Sequence, residues 1–154
     1  MRAKRIVPAA LAATIFFTAC SGGVAPEAAI DSDLVIPLSE ISETAKFYPV
    51  EIDGTQMEVV AVEAPDGTVR TAFNTCQVCY DSGRGYYEQD GDALVCQNCG
   101  NRFAMDRVEI ESGGCNPWPI FPEYKTTDAE NITISHEFLS EAKVIFSNWR
   151  LEYS

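Results

Sequence analysis

The chain has 154 residues, of which 46% are hydrophobic, 22% charged and 10% aromatic. That composition excludes a disordered, collagen-like or coiled-coil chain and suits one globular domain. The formal charge is −12, from 23 acidic and 11 basic residues. A surface this acidic repels phosphate backbones, which argues against nucleic acid as a partner.

The first element in chain order is a leader. Arg2, Lys4 and Arg5 form a positive start, and Ile6 to Phe17 is an apolar run. A membrane span needs about 20 residues, so this run has the length of a signal-peptide core. Thr18-Ala19-Cys20 followed by Ser21-Gly22-Gly23 resembles a bacterial lipobox. The resemblance implies cleavage after residue 19, lipidation of Cys20, and a protein anchored in the cell envelope. It would face the periplasm or exterior, with the outer membrane favoured by Ser21. The sequence thus divides into a signal peptide at 1–19, a lipid anchor and linker at 20–33, and a folded domain at 34–154. Without the leader, eight basic residues face all 23 acidic ones.

The domain reads as mainly β with a short C-terminal helix, a small sandwich or barrel. Phe47–Ile52 and Met57–Val62 flank Asp53-Gly54, a hairpin signal. Pro65-Asp66-Gly67 is a second turn, with Thr68–Phe73 as the next strand. Tyr86-Tyr87 and Ala93–Val95 flank Asp90-Gly91-Asp92 as a further hairpin. Asn116-Pro117-Trp118-Pro119 is expected to be irregular, because proline cannot donate to a ladder. Ile132 and Ile134 alternate as a strand, and Phe138, Ala142, Ile145 and Trp149 recur at helical spacing as core residues.

Five cysteines carry the chemistry of the domain. Cys76-Gln77-Val78-Cys79 and Cys96-Gln97-Asn98-Cys99 have the C-x2-C…C-x2-C spacing of a four-thiolate metal site. A two-residue gap lets both sulfurs of a tight turn meet one ion, and two such knuckles at the ends of adjacent strands complete a tetrahedron. Gly83, Gly85 and Gly100 beside them permit tight or left-handed turns. Two disulfides are the rival reading for an exported chain. Adjacent C-x-x-C bridges, however, close loops too small to stabilise much. Dithiol exchange is the third reading, but Tyr80-Asp81-Ser82-Gly83 after the first pair offers no helix N-terminus to lower a thiol pKa. Cys115, in Gly113-Gly114-Cys115-Asn116-Pro117, is either a further ligand or redox thiol beside the site, or a small buried apolar residue. His136 is expected at a helix start, away from the metal.

The run Asp66–Tyr80, with Gly85-Tyr86, Leu94–Gly100, Phe103 and Cys115-Asn116-Pro117, resembles the FtrD-like family of membrane iron–sulfur proteins, linked to bacterial ferrous-iron uptake. The resemblance covers about residues 34 to 145. It implies that Cys76, Cys79, Cys96, Cys99 and Cys115 are the family's cysteines, holding an iron–sulfur cluster. Partners implied are membrane components of a metal-uptake system. Many relatives carry several transmembrane helices before this domain, where this chain offers a lipid anchor. A Rieske centre is excluded, since neither knuckle contains histidine. The leader has Lys4-Arg5 and no clear arginine pair, so export unfolded is favoured. Metal would then be acquired outside, where a single Zn, Fe or Cu ion is equally suited to thiolates. The expected function is redox or metal handling for iron or copper uptake by a non-enzymatic electron-transfer or metal-binding protein. The alternative is a structural Zn(Cys)4 module without redox activity. A hydrolase is disfavoured, because a closed four-thiolate site leaves no position for water.

Overall fold

The computed structural model describes residues 25–151. Its strands, in chain order, are β1 (Ala29–Ile30), β2 (Leu34–Pro37), β3 (Lys46–Ile52), β4 (Thr55–Glu63), β5 (Val69–Cys76), β6 (Tyr87–Asp90), β7 (Ala93–Cys96), β8 (Arg102–Ala104), β9 (Pro117–Pro119), β10 (Thr126–Thr127) and β11 (Asn131–Ile134). Helix α1 (His136–Ala142) runs on into a 3-10 turn at Lys143–Phe146. The fold is mainly β with this one short C-terminal helix, and its sheets stack as a sandwich without closing into a barrel. The leader, the proposed cleavage site and Cys20 lie outside the described residues. Within them, no helix is long and apolar enough to cross a membrane.

The central sheet has the order β1-β3-β4-β5-β9, flanked by the sheets β10-β11-β2 and β6-β7-β8. The Asp-Gly turn sets the β3–β4 register, with Ile52 opposite Thr55 and Phe47 opposite Val60. Period-2 alternation along β4 then feeds two cores. Met57, Val59 and Ala61 face one core with Ile36, Phe73, Ile132, Ile134 and Leu139. Val60 and Val62 face the other with Ala72, Cys76, Tyr87, Leu94, Cys96 and Phe103. Burial on both faces explains why β4 reads as an almost continuous apolar run.

Three expectations differ from what is observed. β1, within the stretch read as linker, pairs in parallel with β3, Ala29 opposite Val50. Residues 117–119 form a strand, because β9 is the outermost strand of its sheet, where prolines are tolerated. The knuckles do not end neighbouring strands of one sheet. The first ends β5 and the second ends β7, so two sheets must pack face to face before the sulfurs meet. The Phe138, Ala142, Ile145 and Trp149 stripe does pack into the first core.

Candidate metal centre

The first knuckle hangs from the end of β5, where the β5–β9 register shifts between Phe73 and Cys76. The irregularity re-aims the strand end, as bulges do. Cys76 N–H donates to Gly85 O at 2.6 Å and Cys79 N–H reaches Cys76 Sγ at 3.4 Å. Gly83 takes the left-handed conformation, φ 75°. Gly85 is required for a different reason: a Cβ there would sit 2.4 Å from the Cys79 carbonyl oxygen. At the second knuckle, Gly100 is left-handed (φ 73°) and its N–H closes the turn on Cys96 O at 2.8 Å. Gln97 N–H donates to Tyr86 O at 2.8 Å, tying this knuckle to the residue after Gly85, on which the first knuckle closes.

The five cysteines among the described residues converge. The sulfurs of Cys76, Cys79, Cys96 and Cys115 lie within 4.8 Å of one another. Cys115 Sγ is 3.2 Å from Cys76 Sγ and 2.9 Å from Cys99 Sγ. Cys99 is therefore at the margin and exposed, whereas Cys76, Cys79 and Cys96 are buried and Cys115 is half-buried. The spacing points to the four knuckle cysteines as ligands and leaves Cys115 as a further ligand, a redox thiol beside the site or a buried apolar residue, while the family resemblance implies all five. The observed set has Cys115 inside and Cys99 at its outer edge. None of the five forms a disulfide. His136 is not part of the cluster; it opens α1, its N–H donating to Asp33 at 2.7 Å.

The loop bearing Cys115 is held from both knuckles. The side chain of Gln77 accepts from Gly113 N–H at 2.9 Å and donates to Pro117 O at 3.1 Å, and Gln77 N–H donates to Asn116 O at 3.0 Å. Asn101 donates its amide to Cys115 O at 2.9 Å. Further back, Glu109 (φ 66°) accepts from Thr71 N–H at 2.7 Å and from Lys125 Nζ at 2.5 Å, an ion pair almost out of solvent. Gln77, Asn101 and Glu109 escaped the sequence reading.

Burial pushes Cys96 up to about 12 and raises Cys79 and Cys115 above the usual thiol range. Burial would raise Cys76 too, but the Tyr87 hydroxyl and the Val78 amide facing its sulfur hold it below the ordinary value. The Cys115 thiol and the Asn101 amide bring exposed Cys99 down to about 7. Buried thiols whose ionisation is opposed by desolvation become thiolates together when a cation supplies the compensating charge.

The donor set fits a soft metal. With metal–sulfur bonds of about 2.3 Å, a tetrahedral edge is about 3.8 Å, inside the 4.8 Å span of the four sulfurs. A second observation agrees. Tyr87 is 1% exposed and its hydroxyl has no hydrogen-bond partner. That hydroxyl influences the Cys76 thiol but misses hydrogen-bond geometry, so it stands as an orphaned donor turned towards the cysteines. Sulfur charged by a bound metal is the acceptor it lacks.

The profile of the family described as "Membrane iron-sulfur containing protein FtrD-like" matches residues 41–146, about two thirds of the chain. No curated protein and no solved structure matches it.

Proposed function

The chain belongs to the FtrD-like family of membrane iron–sulfur containing proteins, and on that premise we propose that it is a membrane-anchored envelope protein whose cysteine-held centre passes electrons or a metal ion to an iron- or copper-uptake partner. The observation that carries this reading is the convergence of Cys76, Cys79, Cys96 and Cys115 within 4.8 Å, with Cys99 beside them. Bound there, an iron centre supplies reversible one-electron chemistry, and a single thiolate-held ion supplies a transferable cargo. The protein supplies the thiolates, the amides of both knuckles and the Tyr87 hydroxyl, which set charge and solvent access around the centre. Anchoring rests on Cys20: Cys20→Ser should leave the precursor unprocessed by lipoprotein signal peptidase, and intact processing of that variant would sink the anchor.

A second reading has its own support. The four-sulfur span suits one ion better than a cluster, in which the thiolates are divided among two or more irons and those on different irons stand further apart. A mononuclear zinc site would staple the two sheets without redox activity. Metal and acid-labile sulfide analysis of the full-length protein, taken from its native membrane with a visible spectrum and voltammogram, separates these. Iron with sulfide and a reduction wave supports the cluster, iron alone a mononuclear redox site, and zinc without absorbance the staple. Two disulfides among these cysteines would overturn all three.

A further inference from the structure

We infer that Cys99 is the exchange thiol of the centre, the exposed fifth sulfur through which a held metal ion is passed to or from a cysteine thiolate of a partner. This deepens the metal reading above and rests on it. Four-coordinate thiolate sites need four sulfurs, and five are present. Three of them are buried at the ends of two sheets, and Cys115 sits half-buried on a loop that Gln77 and Asn101 hold down. Cys99 alone of the five is exposed, and its sulfur is 2.9 Å from that of Cys115. The exposed sulfur touches Cys115, the one ligand that comes from outside the knuckles, and also lies against Cys79 and Cys96.

The surface around it fits hand-over. Residues 76–80, 97–101 and 112–118, the three segments that frame the sulfurs, contain no charged residue, in a chain where 22% are charged and the net charge is −12. Val78, Asn98, Gly100, Gly113 and Gly114 are exposed there. Among the described residues, the one charged side chain hydrogen-bonded to the second knuckle is Arg84, whose guanidinium donates to Gln97 O at 3.1 Å, and its positive charge attracts an incoming thiolate. Glycines at 113 and 114 leave room for its approach.

The exchange balances without electron transfer. The Cys99 thiol releases its proton and its sulfur bonds the ion; the bond from Cys115 breaks, and the Cys115 thiolate takes a proton. Thiolates of the partner then displace Cys99 and, in turn, Cys76, Cys79 and Cys96, each freed sulfur taking a proton, so that the ion leaves bonded to the partner. Cobalt(II) on the reduced full-length protein is the probe, read by stoichiometry, by thiolate-to-cobalt charge-transfer bands and by the rate of release to excess dithiothreitol. Cys99→Ser should bind one equivalent with wild-type bands yet release it about tenfold or more slowly. Cys115→Ser should keep the four-thiolate bands, with Cys99 in its place. Loss of the ion from Cys99→Ser makes Cys99 an obligatory ligand and overturns the inference, as does release at the wild-type rate. Failure of the wild-type protein to take up cobalt would overturn the metal reading itself, and the inference with it.

Discussion

The side chain of Asn74 pairs with the backbone of Tyr87 as a strand would: its Oδ1 accepts from Tyr87 N–H at 2.8 Å and its Nδ2 donates to Tyr87 O at 3.2 Å. Asn74 lies in β5, two residues before Cys76, and Tyr87 opens β6 in the other sheet. One buried amide thus replaces a missing ladder and fixes the sheet with the first knuckle against the sheet with the second. Glu58 and Trp149 complete the node, Nδ2 donating to Glu58 at 2.6 Å and Trp149 Nε1 donating to Asn74 O at 2.8 Å.

Asn74→Ala should therefore cost about 3 kcal/mol in the metal-free protein, since Tyr87 N–H, Tyr87 O and the Glu58 carboxylate all lose a partner in a buried place. Metal uptake should weaken alongside, because the knuckles lose their relative position. Denaturant melts check the first expectation; a loss below about 1 kcal/mol would show that solvent can replace the amide.

Two glycines should respond unequally to alanine. Gly85→Ala puts a Cβ 2.4 Å from the Cys79 carbonyl oxygen, so the first knuckle must open and metal capacity should fall. Gly100→Ala meets nothing within 4 Å, and its left-handed φ of 73° costs only about 1–2 kcal/mol. Metal stoichiometry of the two variants decides, and equal retention would show the first turn to be compliant.

Removing the orphaned hydroxyl should show itself differently in the two states. Tyr87→Phe leaves no buried donor unsatisfied, so the metal-free protein should gain stability or change by less than about 1 kcal/mol. The loaded protein should show a shifted spectrum or potential at unchanged stoichiometry, because a donor to the ligand sulfurs is gone. An unchanged loaded protein would place the hydroxyl outside the centre.

In the metal-stripped, reduced protein, haloacetamide should label Cys99 first. Its pKa of about 7 makes it roughly half thiolate near neutrality, so its rate should level off above about pH 8. Cys96, pushed up to about 12 by burial, should stay unlabelled until the protein unfolds. A Cys99 rate still climbing steeply above about pH 9 would contradict the lowered value.

What was legible in the sequence is what short segments decide alone. The Asp53-Gly54 hairpin, the helical stripe ending at Trp149 and the two knuckles all rest on spacing that survives any tertiary arrangement. The identity of the four clustered sulfurs was not legible, because spacing says which cysteines can share a turn, not which loop folds over it. Cys115 reaches the cluster through Gln77 and Asn101, whose partners are backbone atoms distant in sequence. Backbone partners leave no pattern in the residues that supply them. Proline at 117 and 119 misled for a related reason: its cost depends on whether the strand is at an edge, which only the sheet order reveals.

The same reasoning makes Glu109 the most informative residue away from the sulfurs. It lies midway between β8 and Cys115, in a left-handed conformation (φ 66°) that a non-glycine residue adopts only when its surroundings compel it. The compulsion is visible: its carboxylate takes the Thr71 N–H and the Lys125 ammonium, which also donates to Thr71 Oγ1 at 2.9 Å. Lys125 is 5% exposed in its side chain, so Glu109→Ala would leave a buried cation without its counter-ion, a loss of about 3–5 kcal/mol. Lys125→Met with Glu109→Leu removes both charges and should recover much of that stability. The anchor of the loop is gone in both variants, however, so Cys115 should become more reactive towards haloacetamide in each. Cys76, Cys79 and Cys96, fixed by the strands, should stay protected in the double variant. If stability returns and Cys115 is as protected as in the wild type, the loop is held by Gln77 and Asn101 alone, and the ion pair serves only the packing beneath it.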